Sequence, residues 1–360
     1  MSLALFYSLF AFWVNLKQRP FIANSVLFHL PILYLLIVIS SLRWETGTDW
    51  YMYHLFYESA DRLADFFSNV YFEKGYSLIN YVSKVFGSYS YVLFFQIITI
   101  VFFWVCAIKV SGVNLNLALF VLFFSKIFIL FPVRQDIAVS IVWFFLICYI
   151  STGNKLLPLI GCVGALFHSS AYVSALLYFS KFRFKGLTVY ISCFVFFLLG
   201  TQKDLLLSGL GYLSGLQQTN FARLLDYISG DVIVVVDGVD YYVRNLIRIA
   251  ESLFFLSIFL YFRERINTFF YNSLFTVYFF GVCLMLFSIF NFRIFLRFSP
   301  YFSLAEVFMW PILFSFIRCN YRTRFYMIFL CLFILVYNVK LLMVLKGFWD
   351  EYNPYQQILF

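Results

Sequence analysis

The sequence predicts an all-α polytopic membrane protein: about ten single-span helices plus one broken-helix hairpin, ten to twelve crossings in all, with two sizeable outer loops carrying amphipathic helices. Three observations predict it. Hydrophobic residues make up 63% of the 360 positions and charged residues only 12%, about half the share of a soluble domain, so one water-soluble core has no room for the apolar surface. Several apolar runs approach the roughly 20 residues an α-helix needs to cross a bilayer, whereas a β-barrel would show shorter alternating segments. The basic residues behind the net charge of +9 sit in short clusters between those runs, the pattern of topology signals rather than of a nucleic-acid surface.

Taken in order, the apolar runs cover residues 3–16, 21–42, 89–108, 115–131, 135–151, 187–200, 245–262, 268–290, 298–317 and 325–344. The first lacks a basic leader and an A-x-A-like site, so it is expected to stay in the chain. Residues 156–180 form a further apolar block interrupted at Gly161, Gly164 and the cluster His168-Ser169-Ser170. Basic residues flank it on both sides (Lys155; Lys181, Arg183, Lys185), which predicts two short helices that enter and return on one side. Backbone broken at membrane depth is tolerated only where protein or a cavity satisfies it.

Lys17, Arg19, Lys109, Lys155, Lys181, Arg183, Lys185, Arg263, Arg265, Arg318, Arg322 and Arg324 fall on one set of loops, with Glu264 as the one acid among them. The positive-inside rule makes that set cytoplasmic and puts both termini and the loops 43–88 and 201–244 outside. The first loop has amphipathic spacing and reads as short helices on the membrane surface. The second, around YISGDVIVVVDGVDYY, reads as a partly ordered lid. No repeat or linker divides the chain, so residues 1–360 are expected to form a single membrane domain. The seven cysteines stand singly without CxxC or metal-ligand spacing and read as small core residues.

Charges placed in or beside membrane helices are costly and mark candidate sites. Arg134, in FPVRQDIA, joins a guanidinium to the free N–H groups of a helix start and suits an anion, phosphate above all. The competing account is an interfacial arginine that snorkels or pairs with Asp136. Arg293 and Arg297, four apart in NFRIFLRFSPYF, would share a helical face and clamp a diphosphate; snorkelling at a helix end is the alternative. His168 at the hairpin apex is a candidate general base, or else a hydrogen-bonded core histidine. In the first outer loop Asp49, Tyr53, Glu73 and Tyr76 are candidate sugar binders, Glu73 and Asp49 also second candidates for the base. A solvated acidic loop competes with that reading. Arg248 and Glu251, three apart, read as an internal ion pair. Glu306, inside an apolar run, must be protonated or paired, most plausibly with a cation from another helix, either as a structural bridge or with a role in the reaction. No DxD-type pair, P-loop, GxSxG or HExxH is present, so a site here is expected to work through arginines, with no metal and no cofactor.

Six strings in order, GTDW-x-x-Y followed by FEKGYSLINYVS, then FPVRQDIAVS, ALFHSSAYV, RIFLRFSPYFS and a tail EYNPY, resemble the EpsG-like branch of the Wzy-type polymerases of O-antigen and exopolysaccharide repeat units. The resemblance covers most of the chain, with residues 186–290 adding little beyond hydropathy. It implies a glycosyltransferase in the bacterial inner (cytoplasmic) membrane, working on the periplasmic side. A growing glycan on undecaprenyl diphosphate would pass to the non-reducing end of an incoming undecaprenyl-diphosphate-linked oligosaccharide. It further implies roles for Arg134 and His168, whose motifs match best, and admits a chain-length regulator as partner beside the lipid bilayer. The rivals are a flippase for lipid-linked oligosaccharide, expected to show repeated halves and smaller outer loops, and a membrane acyltransferase, expected to keep its histidine near its acyl donor.

Overall fold

The computed structural model describes residues 9–14, 24–45, 50–69, 71–125, 133–202, 238–287 and 298–347. Among them the regular structure is helical throughout, without strands, and five helices are long and apolar enough to cross a membrane: Ser90–Ser111, Arg134–Thr152, Phe269–Phe287, Pro300–Asn320 and Thr323–Leu342. Shorter apolar helices cover Val26–Ser41, Leu115–Ser125, Leu157–Leu166 and Gly186–Thr201. Each apolar run read from the sequence therefore contains a helix, although residues 126–131 and most of the first run lie outside the described residues. The helix Gly238–Ile266 extends past its apolar run at both ends, because helical hydrogen bonding continues where hydrophobicity stops.

The chain falls into two compact units, Met1–Tyr178 with Glu306–Phe360, and Phe179–Ala305. In the first, helices Ser90–Ser111 and Arg134–Thr152 pack along each other, and Trp104, Trp143 and Phe308 stack at ring separations of 5.5–6.1 Å. Helix Leu115–Ser125 is buried almost all round and packs on Glu306–Asn320 and Thr323–Gly347. Glu306 has the partner its position demands: the Tyr337 hydroxyl donates to it at 3.0 Å and the Lys340 ammonium stands 3.8 Å away, both from another helix.

The 156–180 block does break in two. Leu157–Gly161 is α-helical and tightens to a 3₁₀ turn through Leu166, the chain bends at Phe167–His168, and a 3₁₀ helix runs from Ser169 to Lys181. The second arm returns along the first, with Ser174 Oγ donating to the Pro158 carbonyl at 2.7 Å, and is tied to helix Arg134–Thr152 by the Tyr149 hydroxyl, which donates to the Tyr178 carbonyl at 3.2 Å. Lipid tails are as apolar as leucine, so helices in a membrane gain cohesion from close packing and polar contacts. Gly164 supplies the close approach, since a Cβ there would come within 3.0 Å of the Ala138 carbonyl and of the Ala171 side chain.

Within the second unit, polar glue surrounds Arg263. Its Nε donates to Asn272 Oδ1 at 2.7 Å, its Nη1 to the Phe184 carbonyl at 2.7 Å, and its guanidinium lies 4.7 Å over the Phe275 ring. Thr276 Oγ1 donates to the Phe182 carbonyl at 2.6 Å. These bonds tie the basic turn 181–185 to helix Phe269–Phe287, and burial of Arg263 leaves water no means of replacing them. Replacing Arg263 by Met is expected to lower unfolding stability in detergent by about 2–3 kcal/mol, because one buried and one partly buried acceptor lose their donors; thermal unfolding of purified wild type and variant measures it.

Candidate functional site

The loop 43–88 folds into three helices, Trp50–Glu58, Leu63–Ser68 and Lys74–Val85. On the first, Trp50, Tyr53, Phe56 and Tyr57 fall on one face at helical spacing and are buried. Phe56 stacks on Phe72 at 4.0 Å, meets Phe66 edge-on at 5.3 Å, and Tyr53 lies 5.4 Å from Tyr76. Trp50 stacks on His54 at 4.7 Å and meets Tyr89 edge-on at 5.6 Å. The loop is thus a small aromatic core of its own.

The third helix opens at Glu73, which stands at its N-cap in extended conformation without side-chain capping, so the carboxylate is available for other partners. Gly75 follows, and a Cβ there would lie 2.7 Å from the Leu166 carbonyl oxygen. Only glycine lets this helix start so close to the hairpin apex. That approach brings the Ser169 N–H within 3.0 Å of Glu73 Oε1. The other oxygen, Oε2, accepts from Arg134 Nη1, the first residue of helix Arg134–Thr152. Arg134 Nη1 also donates to the Tyr71 carbonyl at 3.2 Å, and the guanidinium lies 4.8 Å over the Phe72 ring and 6.0 Å from that of Tyr53, whose hydroxyl is a further partner. Asp136, the alternative partner for Arg134, accepts from the Val133 N–H at 3.3 Å and closes the helix start.

The loop 43–88, the start of helix Arg134–Thr152 and the hairpin apex therefore meet at one end of the first unit. Lys109, whose ammonium donates to the Asn24 carbonyl, stands at the opposite end of helix Ser90–Ser111. At the apex, His168 Nδ1 lies 2.6 Å from Ser170 Oγ and 3.3 Å from the Ser170 N–H. Two donors at Nδ1 assign it as the acceptor, which leaves the proton of a neutral ring on Nε2.

Of the residues singled out in the sequence, Glu73, Arg134, Tyr53 and Tyr76 are brought into one cluster and His168 stands beside it. Asp49, Arg293 and Arg297 lie outside the described residues, as does most of the loop 201–244. Sequence reasoning passed over Arg43, which is buried just past the C-terminal end of helix Val26–Ser41 with its charge acting on Tyr89. Its signal was position, a lone cation at the end of an apolar run on the side where the rule expects few. It also passed over the polar interior of the loop: Trp50 Nε1, Tyr76 OH, Asn80 Oδ1 and Tyr89 OH are buried, and none makes a well-formed hydrogen bond to a described residue. Burial is the main cause pushing the Tyr76 and Tyr89 phenols well above the usual tyrosine range; neighbouring phenols add to it, while Arg134 acts against it at Tyr76 and Arg43 at Tyr89.

Architecture and site together define a polytopic helical membrane protein with a cation-centred polar cluster where the loop 43–88, a helix start and a broken-helix apex converge. The chain belongs to the EpsG family, whose model matches residues 26–357, nearly its whole length, and whose members are Wzy-like polymerases. No curated protein and no solved structure matches it. At the coarse level of the family, the protein is a glycosyltransferase-like polysaccharide polymerase of the membrane.

The Tyr76 hydroxyl lacks a good partner, so Tyr76→Phe is expected to leave folding stability within about 1 kcal/mol of wild type. An unfolded tyrosine ionises near pH 10 while buried Tyr76 resists ionisation. Stability is therefore intact below about pH 10 and falls as pH rises through it, because only the unfolded chain loses the proton. Thermal unfolding followed from pH 8 to 11 is expected to show a shallower alkaline fall for Tyr76→Phe than for wild type.

Proposed function

We propose that the protein polymerises undecaprenyl-diphosphate-linked oligosaccharide repeat units of a bacterial surface polysaccharide on the periplasmic side of the inner membrane. The growing glycan is transferred from its diphosphate carrier to the non-reducing end of an incoming lipid-linked unit. The observation that carries this reading is the meeting of Arg134, Glu73 and the Ser169 N–H at one end of the first unit, a cation and an acid at a membrane boundary among aromatic side chains.

In the reaction, an acceptor hydroxyl attacks the anomeric carbon, the bond from that carbon to the diphosphate oxygen breaks, and the hydroxyl proton passes to a base. The leaving diphosphate gains negative charge, which a preorganised guanidinium stabilises. Arg134 has that role, aided by Arg293 and Arg297. His168, Glu73 and Asp49 are the groups available as base. Of these, His168 presents its Nδ1 lone pair to Ser170, so it serves as base only after that contact opens. Tyr53 and Tyr76 belong to the face that receives sugar, since aromatic rings stack on sugar faces and phenols bond their hydroxyls. The reaction as written uses protein groups alone, without metal or cofactor.

Deleting the gene and complementing with wild type, Arg134→Ala or Arg134→Lys tests it, with membrane levels checked and the surface polysaccharide run on a gel. The deletion is expected to leave glycan with a single repeat unit. Arg134→Ala should reduce the ladder by about 100-fold or more, the size of effect expected for one lost stabilising donor. No repeat unit at the surface would favour a transporter, and a full ladder of altered mobility would favour decoration of the glycan.

A further inference from the structure

We propose that Glu73 holds the anion position on Arg134 in the resting protein, and that the substrate's diphosphate displaces it and so frees the carboxylate to take the acceptor proton. The proposal rests on the polymerase reading above and names how one site serves both halves of that reaction. It follows from the way the guanidinium is enclosed. Arg134 has about a fifth of its side chain exposed, one face covered by Phe72 and its Nη1 shared between the Glu73 carboxylate and the Tyr71 carbonyl. A second anion cannot bond Nη1 while the carboxylate is there, because its two N–H groups are already given to Glu73 Oε2 and the Tyr71 carbonyl. Arg134 Nε, meanwhile, is buried without a hydrogen-bond partner among the described residues, a donor left over for an incoming oxygen.

Glu73 is built to exchange without unfolding its surroundings. Its side chain does not cap the helix it precedes, and that helix is held by the approach of Gly75 to Leu166 and by Ser77 Oγ donating to the Phe66 carbonyl at 3.2 Å. When Oε2 leaves Arg134, Oε1 keeps the Ser169 N–H, so the carboxylate pivots about the hairpin apex and stays beside the anion it yielded to. The bookkeeping of the step closes: the acceptor oxygen bonds the anomeric carbon, the carbon–oxygen bond to the diphosphate breaks, its electron pair leaves on the diphosphate held by Arg134, and the acceptor proton goes to the freed Oε2. Order follows from the same contact, since the base becomes available only once a donor is bound.

The test uses the full-length protein in lipid nanodiscs, titrated with inorganic diphosphate and, separately, with farnesyl diphosphate, alongside the polysaccharide ladder from complemented cells. Glu73→Gln keeps the size and the Ser169 contact but removes the competing charge. It should bind inorganic diphosphate about tenfold tighter than wild type, the change expected when a charge-assisted contact no longer has to be broken. It should also give no ladder, and Arg134→Ala should abolish the binding. A farnesyl diphosphate affinity no tighter than that of inorganic diphosphate would assign the binding to the phosphates; a preference for the prenyl form would assign it to a lipid carrier. Unchanged or weaker diphosphate binding by Glu73→Gln, or a wild-type ladder from it, overturns the proposal. Should Glu73→Gln fail to reach the membrane, Glu73→Asp carries the same binding readout, because the shorter carboxylate does not span Arg134 and Ser169 together. Should the gene prove not to polymerise at all, the binding arm still decides whether Glu73 and diphosphate compete for Arg134.

Discussion

A guanidinium at the edge of a bilayer has to be paired, and in this protein the pairing of Arg134 with Glu73 organises everything around it. Left alone, Arg134 would snorkel to the headgroups. Paired, it is drawn against Phe72 and fixes the start of helix Arg134–Thr152 to the loop 43–88. Because the same carboxylate accepts from Ser169, the apex of the broken hairpin is held to the same point. Three stretches far apart in the chain thus share one polar contact. The aromatic core of the loop and the close approach at Gly75 make that contact possible.

The hairpin shows why the break in the membrane block is useful. A continuous helix through residues 156–180 would carry its middle past the site; bending at Phe167–His168 places backbone N–H groups beside the loop 43–88, where the Ser169 N–H meets the carboxylate. Gly161 and Gly164 let the first arm lie against both the returning arm, at Ser174 and Ala171, and helix Arg134–Thr152, at Phe145 and Ala138. The fold of this unit and its site are therefore consequences of the same residues.

Much of this was legible in the sequence, and for identifiable reasons. Apolar run length and charge between runs give the helices, because lipid leaves the backbone no other way to satisfy itself. The hairpin showed in Gly161, Gly164 and His168, and the demand of Glu306 for a cation from another helix is met by Lys340. What sequence could not give is which acid meets which cation. Asp136 stands two residues from Arg134, yet helix geometry turns it to the Val133 N–H, and the partner comes from residue 73. Tyr76, Asn80 and Ser83, at helical spacing, are buried on the inner face of helix Lys74–Val85, opposite to what a surface helix with a polar stripe suggests. Arg43 was hidden for the same reason: burial is set by tertiary neighbours, and a lone arginine beside a tryptophan reads in sequence as an interfacial anchor.

The central claim is that Glu73 and Arg134 act on each other, and a double-mutant cycle on Glu73→Gln and Arg134→Gln, read by unfolding stability in nanodiscs, tests it most directly. The account predicts a coupling of about 1–3 kcal/mol, the range for contacting residues that share a partly buried polar network. Additivity of the two substitutions to within about 0.5 kcal/mol, as for independent sites, would contradict it.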